Sequence, residues 1–402
     1  MKHFNILFRV SLWAILLSLT CTSAKADDGG SIPEVDSVEI SLLTCGPGHE
    51  VYSLYGHTAL RYNDRRTGAD WVVNYGMFSF RQRFFILRFV FGITDYEMGI
   101  IPFGDFMAEY EAEGRWVYQQ TLNLSAADRL AIRTALMDNY KEENRTYRYN
   151  FFYNNCTTKA RDLIIDHIYN QVEFPAPSNA GITYRGMIHE WNEDSPWCRL
   201  GNDLLLGVKA DREVTTRDRQ FLPDSLRKSF AGAKIILPTG QQIPLVSRSE
   251  MLYQPGAAVA DDGCGLTPLG CSLLLLAVVL AVSLAECYSH KIYWAFDGLW
   301  LLANGLAGLI LVLMIFSQHP TVSLNFQIFC LCPWSLVVLW PALRNLRKRK
   351  WSKGLYVSLA LLGLSLLLGI WQHYDSSIYI LALSLLLRLM VLHHWCKRKR
   401  VI

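Results

Sequence analysis

Residues 266–285 read LTPLGCSLLLLAVVLAVSLA, twenty positions without a charge. A helix of that length rises roughly 30 Å, the thickness of a bilayer's hydrocarbon core. Four more apolar runs follow, near 295–316, 322–340, 354–371 and 377–395. The stretches between them carry charge unevenly. Lys291 lies between the first two runs, Arg344, Arg347, Lys348, Arg349, Lys350 and Lys353 between the third and fourth, and Lys397, Arg398, Lys399 and Arg400 after the fifth. The other two loops, 317–321 and 372–377, hold no Lys or Arg. Basic loops stay on the cytoplasmic side of a membrane. Five spans with that pattern place residue 265 outside and the C-terminus in the cytoplasm.

The first 26 residues support the same orientation. Lys2, His3 and Arg9 form a positive start, residues 10–19 an apolar stretch, and Ala24-Lys25-Ala26 a small-residue cleavage site, the layout of a signal peptide. Cys21 lacks the flanking residues of a lipidation site. The formal charge of +4 then divides: residues 266–402 hold 12 Lys+Arg against 3 Asp+Glu, whereas residues 27–265 hold 24 against 32. A chain that is 51% hydrophobic with this split is neither disordered nor one soluble domain. The basic excess sits between apolar segments rather than on a folded face, which argues against nucleic acid.

Residues 27–265 read as an exported α+β unit. Val38–Cys45 is a strand closed by Gly46-Pro47-Gly48, and residues 50–55 a short helix. Residues 58–62 and 71–75 flank a polar turn and suggest a hairpin, and 115–124 another strand. Ser125-x-x-Asp128 has the pattern of a capping box, opening a helix with Ile132, Leu136 and Tyr140 on one face. A second helix starts at Cys156, capped by Asn154 or Asn155, with Ala160, Leu163, Ile164, His167 and Ile168 as its apolar stripe. Residues 84–91, preceded by Arg81 and Arg83, mix aromatics and arginine as interfacial segments do, and as a core helix or strand also can.

Of ten cysteines, Cys45, Cys156 and Cys198 fall well inside the exported unit. A Cys45–Cys198 bridge suits an oxidising compartment and leaves Cys156 over. A helix N-terminus offers unpaired N–H groups and the positive end of a dipole, which favour thiolate and can hold an oxyanion. His57, beside Gly56 at the start of a strand, is the candidate base, and Asn74 on the next strand the candidate orienter of its imidazole. His167 and His189 are poorer bases, the first on an apolar stripe and the second without a motif. A single Cys or His of this kind is more commonly a packing residue.

Four segments taken together carry more weight. Thr44-Cys45-Gly46-Pro47-Gly48, Tyr55-Gly56-His57-Thr58-Ala59-Leu60-Arg61, Asn74-Tyr75-Gly76-Met77-Phe78 and Asn155-Cys156-Thr157-Thr158-Lys159-Ala160-Arg161-Asp162-Leu163 resemble the Lnb lipoprotein N-acyltransferases of Bacteroidetes. The resemblance implies a periplasmic domain (27–265) joined to an all-α five-helix transmembrane domain (266–402) in the bacterial inner membrane. The His-before-Cys order is similar to circularly permuted papain-like acyltransferases related to lecithin:retinol acyltransferase. It implies Cys156 as nucleophile, His57 as base and Asn74 as third member, with Tyr55, Arg61, Asn155 and Arg161 as candidate substrate contacts. The implied reaction moves an acyl chain from a membrane phospholipid to the α-amino group of a diacylglyceryl-cysteine at a lipoprotein N-terminus.

Chemistry agrees with a thioester mechanism, since one nucleophile must hold an acyl group until the amine arrives. The exported unit has no H-E-x-x-H, paired-Cys spacing or Gly-rich phosphate loop, so neither metal nor cofactor is implied. Two rivals stay open. One is a membrane-anchored cysteine peptidase or lipase, in which water replaces the amine. The other is a non-enzymatic lipid-binding or receptor protein. Transport is less favoured, because Asp297 and Arg388 fall near the expected span ends.

Overall fold

The apolar, β-branched run Val38–Cys45 becomes the inner strand β1, in which every residue but Glu39 is buried. The computed structural model describes residues 37–48, 50–78, 83–177, 180–256 and 265–397. The expected signal segment with Cys21, Arg81, and the basic residues 398–400 lie outside the described residues. In chain order the first domain contains β2 (His57–Asp64), β3 (Ala69–Met77), α1 (Phe85–Val90), β4 (Asp95–Pro102), α2 (Phe103–Ala112), β5 (Val117–Leu122), α3 (Ala126–Asn139), β6 (Thr146–Arg148) and α4 (Cys156–Ile165). Then come β7 (Gln171–Glu173), α5 (Tyr184–His189), α6 (Pro196–Leu205), α7 (Thr216–Arg219), α8 (Pro223–Gly232), β8 (Lys234–Ile236), β9 (Gln242–Pro244) and β10 (Val246–Tyr253).

Seven strands form an antiparallel sheet in the order β10-β5-β1-β2-β3-β4-β6. One face packs on α2 through Leu43, Cys45, Ala59, Val72 and Val117 against Phe106 and Tyr110. Side chains alternate along a strand, so Thr58 points to the other face, where its hydroxyl meets that of Thr157 on α4 at 3.0 Å. The α+β reading therefore holds. The hairpin strands run longer than expected, and 50–55 shrinks to a 3-10 turn at Val51–Ser53. The Ser125–Asp128 capping box is present with both reciprocal bonds. Cys45 and Cys198 are both free, so the bridge between them is not formed. Cys45 instead packs in the sheet core.

The helical region supplies α9 (Pro268–Ser289), α10 (Trp294–Ile315), α11 (Trp334–Leu346), α12 (Gly354–Leu368) and α13 (Ser376–Lys397). Among the described residues four stretches are long and apolar enough to span a bilayer, counting Phe326–Leu346 as one, and Gly354–Leu368 is shorter. The third expected span, 322–340, arrives in two pieces: a 3-10 turn at Phe326–Phe329, then α11 from Trp334. Pro333 explains the break, since it has no N–H and keeps the residue before it out of the helical region. Asn304 satisfies the backbone left open, donating to the Cys330 carbonyl (3.0 Å) and accepting from Cys332 N (3.1 Å).

Arg388 lies well inside α13 rather than near a span end. Its guanidinium is buried, with paired bonds of 2.6–2.9 Å to Asp297 on α10 and to Glu286 on α9. A charge in that position persists only when paired, and here it ties three helices together.

The first domain is clamped to the helices at the loops that carry no basic residue. Gly207 N and Val208 N donate to the carbonyls of Thr321 (2.8 Å) and Leu324 (2.9 Å). Asn325 caps the Leu204 carbonyl, Gln327 that of Asp203 and Gln372 that of Leu206, at 2.6–3.1 Å. Beneath them buried Arg185 bonds Asp203 and Asp211, and His189 Nε2 donates to Asp203 (2.8 Å). The polar loops between spans are thus spent largely on docking. Lys291 and residues 344–353 stand at the opposite helix ends, in agreement with the charge-derived orientation.

Candidate active site

Cys156 and His57 each open a secondary-structure element, and the Thr58–Thr157 bond fixes those two openings side by side. Two devices build the start of α4. Asn155 Oδ1 accepts from Thr158 N and Thr158 Oγ1 accepts from Asn155 N, both at 2.9 Å. Asn155 Nδ2 then donates to the carbonyls of Phe151 (2.8 Å) and Phe221 (2.9 Å). This capping box takes the N–H groups of Asn155 and Thr158. It leaves those of Cys156 and Thr157 without an acceptor among the described residues, pointing along the dipole's positive end.

His57 is the cross-strand partner of Cys45. It follows Gly56, whose φ of +76° makes the tight entry to β2; a Cβ there would lie 2.5 Å from the Cys45 carbonyl. Asn74 on β3 sits opposite Ala59, and its Oδ1 is 2.9 Å from His57 Nε2. The same Oδ1 accepts from Gly76 N at 2.7 Å. A backbone N–H can only donate, so the Asn74 atom between the two must be its oxygen. His57 Nε2 therefore carries a proton, and Nδ1 is the nitrogen left for the thiol. Gly76 is the missed member of this arrangement: a Cβ there would stand 2.6 Å from His57 Cε1, so any side chain would displace the ring.

Electrostatics follow from this geometry. Burial on its own would raise the Cys156 thiol. The charged His57 beside it, their mutual hydrogen bond, the Thr58 backbone N–H and the Thr157 hydroxyl outweigh that and bring it down to about 7. For His57, burial disfavours the imidazolium, yet the Cys156 charge and the bonds to Cys156 and Asn74 raise it above the ordinary value. Buried Arg115, which donates to the Gly46 carbonyl (2.9 Å), pulls the other way. The result is a thiolate–imidazolium pair near neutral pH, with Cys156 still partly exposed. By contrast burial drives the Cys45 thiol far up and keeps it inert.

The four residues expected to touch substrate have other work. Arg61 pairs with both Asp70 oxygens (2.8 and 2.6 Å), donates to Gln119 and stacks on Phe103. The Tyr55 hydroxyl accepts from Asn202 on α6 (2.8 Å), and Arg161 bonds Asp162 and the Arg217 carbonyl. Asn155 is the helix cap. Each makes a structural tie within the protein. His167 bonds the Leu163 carbonyl, and His189 belongs to the docking network.

Two family descriptions match this chain: the Lnb N-terminal periplasmic domain over residues 32–183 and the Lnb transmembrane domain over residues 260–400. No curated protein and no solved structure shows a significant match. The first match contains His57, Asn74 and Cys156 and six of the seven strands of their sheet, all but β10; the second contains all five helices. A periplasmic sheet domain carrying a His-paired thiol, seated on an apolar helical region, thus belongs to the Lnb family.

Proposed function

We propose that this protein is a lipoprotein N-acyltransferase of the bacterial inner membrane, with its C-terminus in the cytoplasm. The observation that carries the reading is the Asn74–His57–Cys156 alignment at the start of α4, on a domain bonded directly to the outer loops of the spans. In the first half-reaction the Cys156 thiolate attacks the ester carbonyl of a membrane phospholipid. The free N–H groups of Cys156 and Thr157 are suited to hold the tetrahedral oxyanion. The C–O bond breaks as His57 gives its proton to the departing lysophospholipid oxygen, and a thioester remains. In the second half the α-amine of a diacylated lipoprotein attacks that thioester. His57 takes the amine proton, the C–S bond breaks, and the thiolate returns as the amide forms. The clamp between domain and spans supports a lipid donor over a soluble one, because it ties the domain that carries the thiol to the loops of the spans.

The test is mass spectrometry of a lipoprotein N-terminus in cells lacking the protein, complemented with wild type, Cys156→Ala or His57→Ala. The expected outcome is an amide-linked acyl chain with wild type only. A Cys156→Ala variant that restores the chain would refute the assignment.

A further inference from the structure

The helix α1 has an exposed apolar face that packing within the domain does not explain. Phe84 is 61% exposed and Leu87 55%. Its position is fixed by the membrane region. The carbonyls of Phe89, Val90 and Phe91 accept from His319 Nε2 (3.0 Å), Ser317 Oγ (2.9 Å) and Gln318 N (2.8 Å). Those three donors immediately follow Phe316, the exposed cap of α10, so α1 lies at the level where a transmembrane helix leaves the bilayer. An aromatic–basic segment at that level, with Arg83 stacked over Phe84, has the composition of a headgroup-boundary helix.

From α1 an aromatic path leads to the thiol. Phe85, Phe89, Tyr149, Tyr96 and Phe78 form a closed ring of near-parallel stacks, with centroids 4.2–6.3 Å apart. Phe78 stands two residues after Gly76, which touches the His57 ring. Tyr149 precedes Asn150, which bridges to Asn154, directly before the Asn155 cap of Cys156. One end of the ring therefore borders the catalytic pair and the other borders the membrane. Tyr96 and Tyr149 lie close enough to Cys156 to feel its charge.

We propose that α1 inserts Phe84 and Leu87 into the outer leaflet, and that the aromatic ring behind them is the surface on which an acyl chain of the donor phospholipid lies while its ester is presented to Cys156. The second clause rests on the acyl-transfer reading; the first does not. The occupant is lipid rather than a protein partner because the face is contiguous with the exposed cap of α10 at the bilayer boundary.

Two measurements on the full-length protein in phosphatidylethanolamine vesicles test this. In the first, a phosphatidylethanolamine with a diazirine in its acyl chain is photolysed and the labelled peptides are mapped. Label on residues 84–91 and on Phe78, Tyr96 or Tyr149 is expected. Label confined to 265–397 would overturn the proposal, whatever the reaction proves to be. In the second, the mass gain on Cys156 is timed for wild type, Leu87→Asp and Phe84→Ser, with vesicle phospholipid and with the soluble ester p-nitrophenyl butanoate. The variants should be slowed about tenfold or more with phospholipid, from lost apolar contact, and unchanged with the soluble ester. Equal rates with both donors, or equal slowing with both, would overturn the proposed role. Wild type unreactive toward both donors would instead count against the acyl-transfer reading, while the labelling result would still judge the membrane contact.

Discussion

Replacing Asn74 with alanine removes one oxygen that holds two donors, His57 Nε2 at 2.9 Å and Gly76 N at 2.7 Å. In the charged pair the first of these is a bond to an imidazolium, and such bonds contribute about 1.5–3 kcal/mol. One pKa unit corresponds to about 1.36 kcal/mol, so the imidazolium should become easier to deprotonate by about one unit or more. The thiolate loses its counter-charge to the same extent, and its midpoint should climb by about one unit from the value of about 7 set by the intact site. At neutral pH the thiolate fraction then falls from about a half to about a tenth. The assay is alkylation of full-length protein by iodoacetamide across pH, with Cys156 followed by peptide mass; buried Cys45 and Cys330 serve as slow internal references. Asn74→Ala should shift the profile to higher pH and slow alkylation about fivefold at pH 7. Asn74→Asp, which keeps an acceptor oxygen, should not lose the bond and should hold the midpoint at or below that of wild type. An Asn74→Ala profile that superimposes on wild type would show that Asn74 does not sustain the ion pair, and the argument from its shared oxygen would fail.

Acyl-enzyme formation in wild type should fall as pH drops below about 7, because the His57 charge holds Cys156 as thiolate only above that point; a rate flat down to about pH 5 would contradict this. Gly76→Ala places a Cβ 2.6 Å from His57 Cε1 and should lower acylation at least about tenfold by moving the ring, with an unchanged melting temperature as the check that folding is intact. Arg185→Met leaves Asp203 and Asp211 with unpaired charge and should cost about 3–5 kcal/mol, read as a lowered Tm of the purified protein. Arg388→Leu does the same to Glu286 and Asp297 among the spans; normal accumulation of that variant in the membrane would show the triplet is not needed for folding.

Local patterns were legible where a short stretch of chain settles its own structure. β1 begins and ends where its apolar run does, and the caps at Ser125 and Asn155 use oxygens three residues from the N–H groups they satisfy. The split between loops with and without basic residues was legible too, and the domain docks on the loops without them. The intramolecular bonds of the expected substrate contacts were hidden for the opposite reason. Tyr55, Arg61 and Arg161 stand in or beside motifs, but their partners Asn202, Asp70 and Arg217 come from elsewhere in the chain. A polar side chain committed to a distant partner looks the same in sequence as one waiting for a ligand. The role of Gly76 was hidden for a related reason: its value is the absence of a side chain against a ring seventeen residues from Asn74's own position. The break before α11 had a visible sign in Pro333, while the Asn304 side chain that makes it tolerable lies on another helix.

The unequal helices have a consequence within the bilayer. At 22 residues each, α9, α10 and α13 rise roughly 33 Å, whereas α11, at 13, and α12, at 15, rise roughly 20 and 23 Å. Both short helices stop early on the side where the domain docks, with 326–333 and 369–375 filling the difference. On this flank roughly the last 10 Å of the crossing is therefore lined by non-helical chain rather than by helix. Non-helical backbone at that depth needs partners within the protein, and Asn304 and Gln372 supply them by bonding Cys330, Cys332 and Phe326.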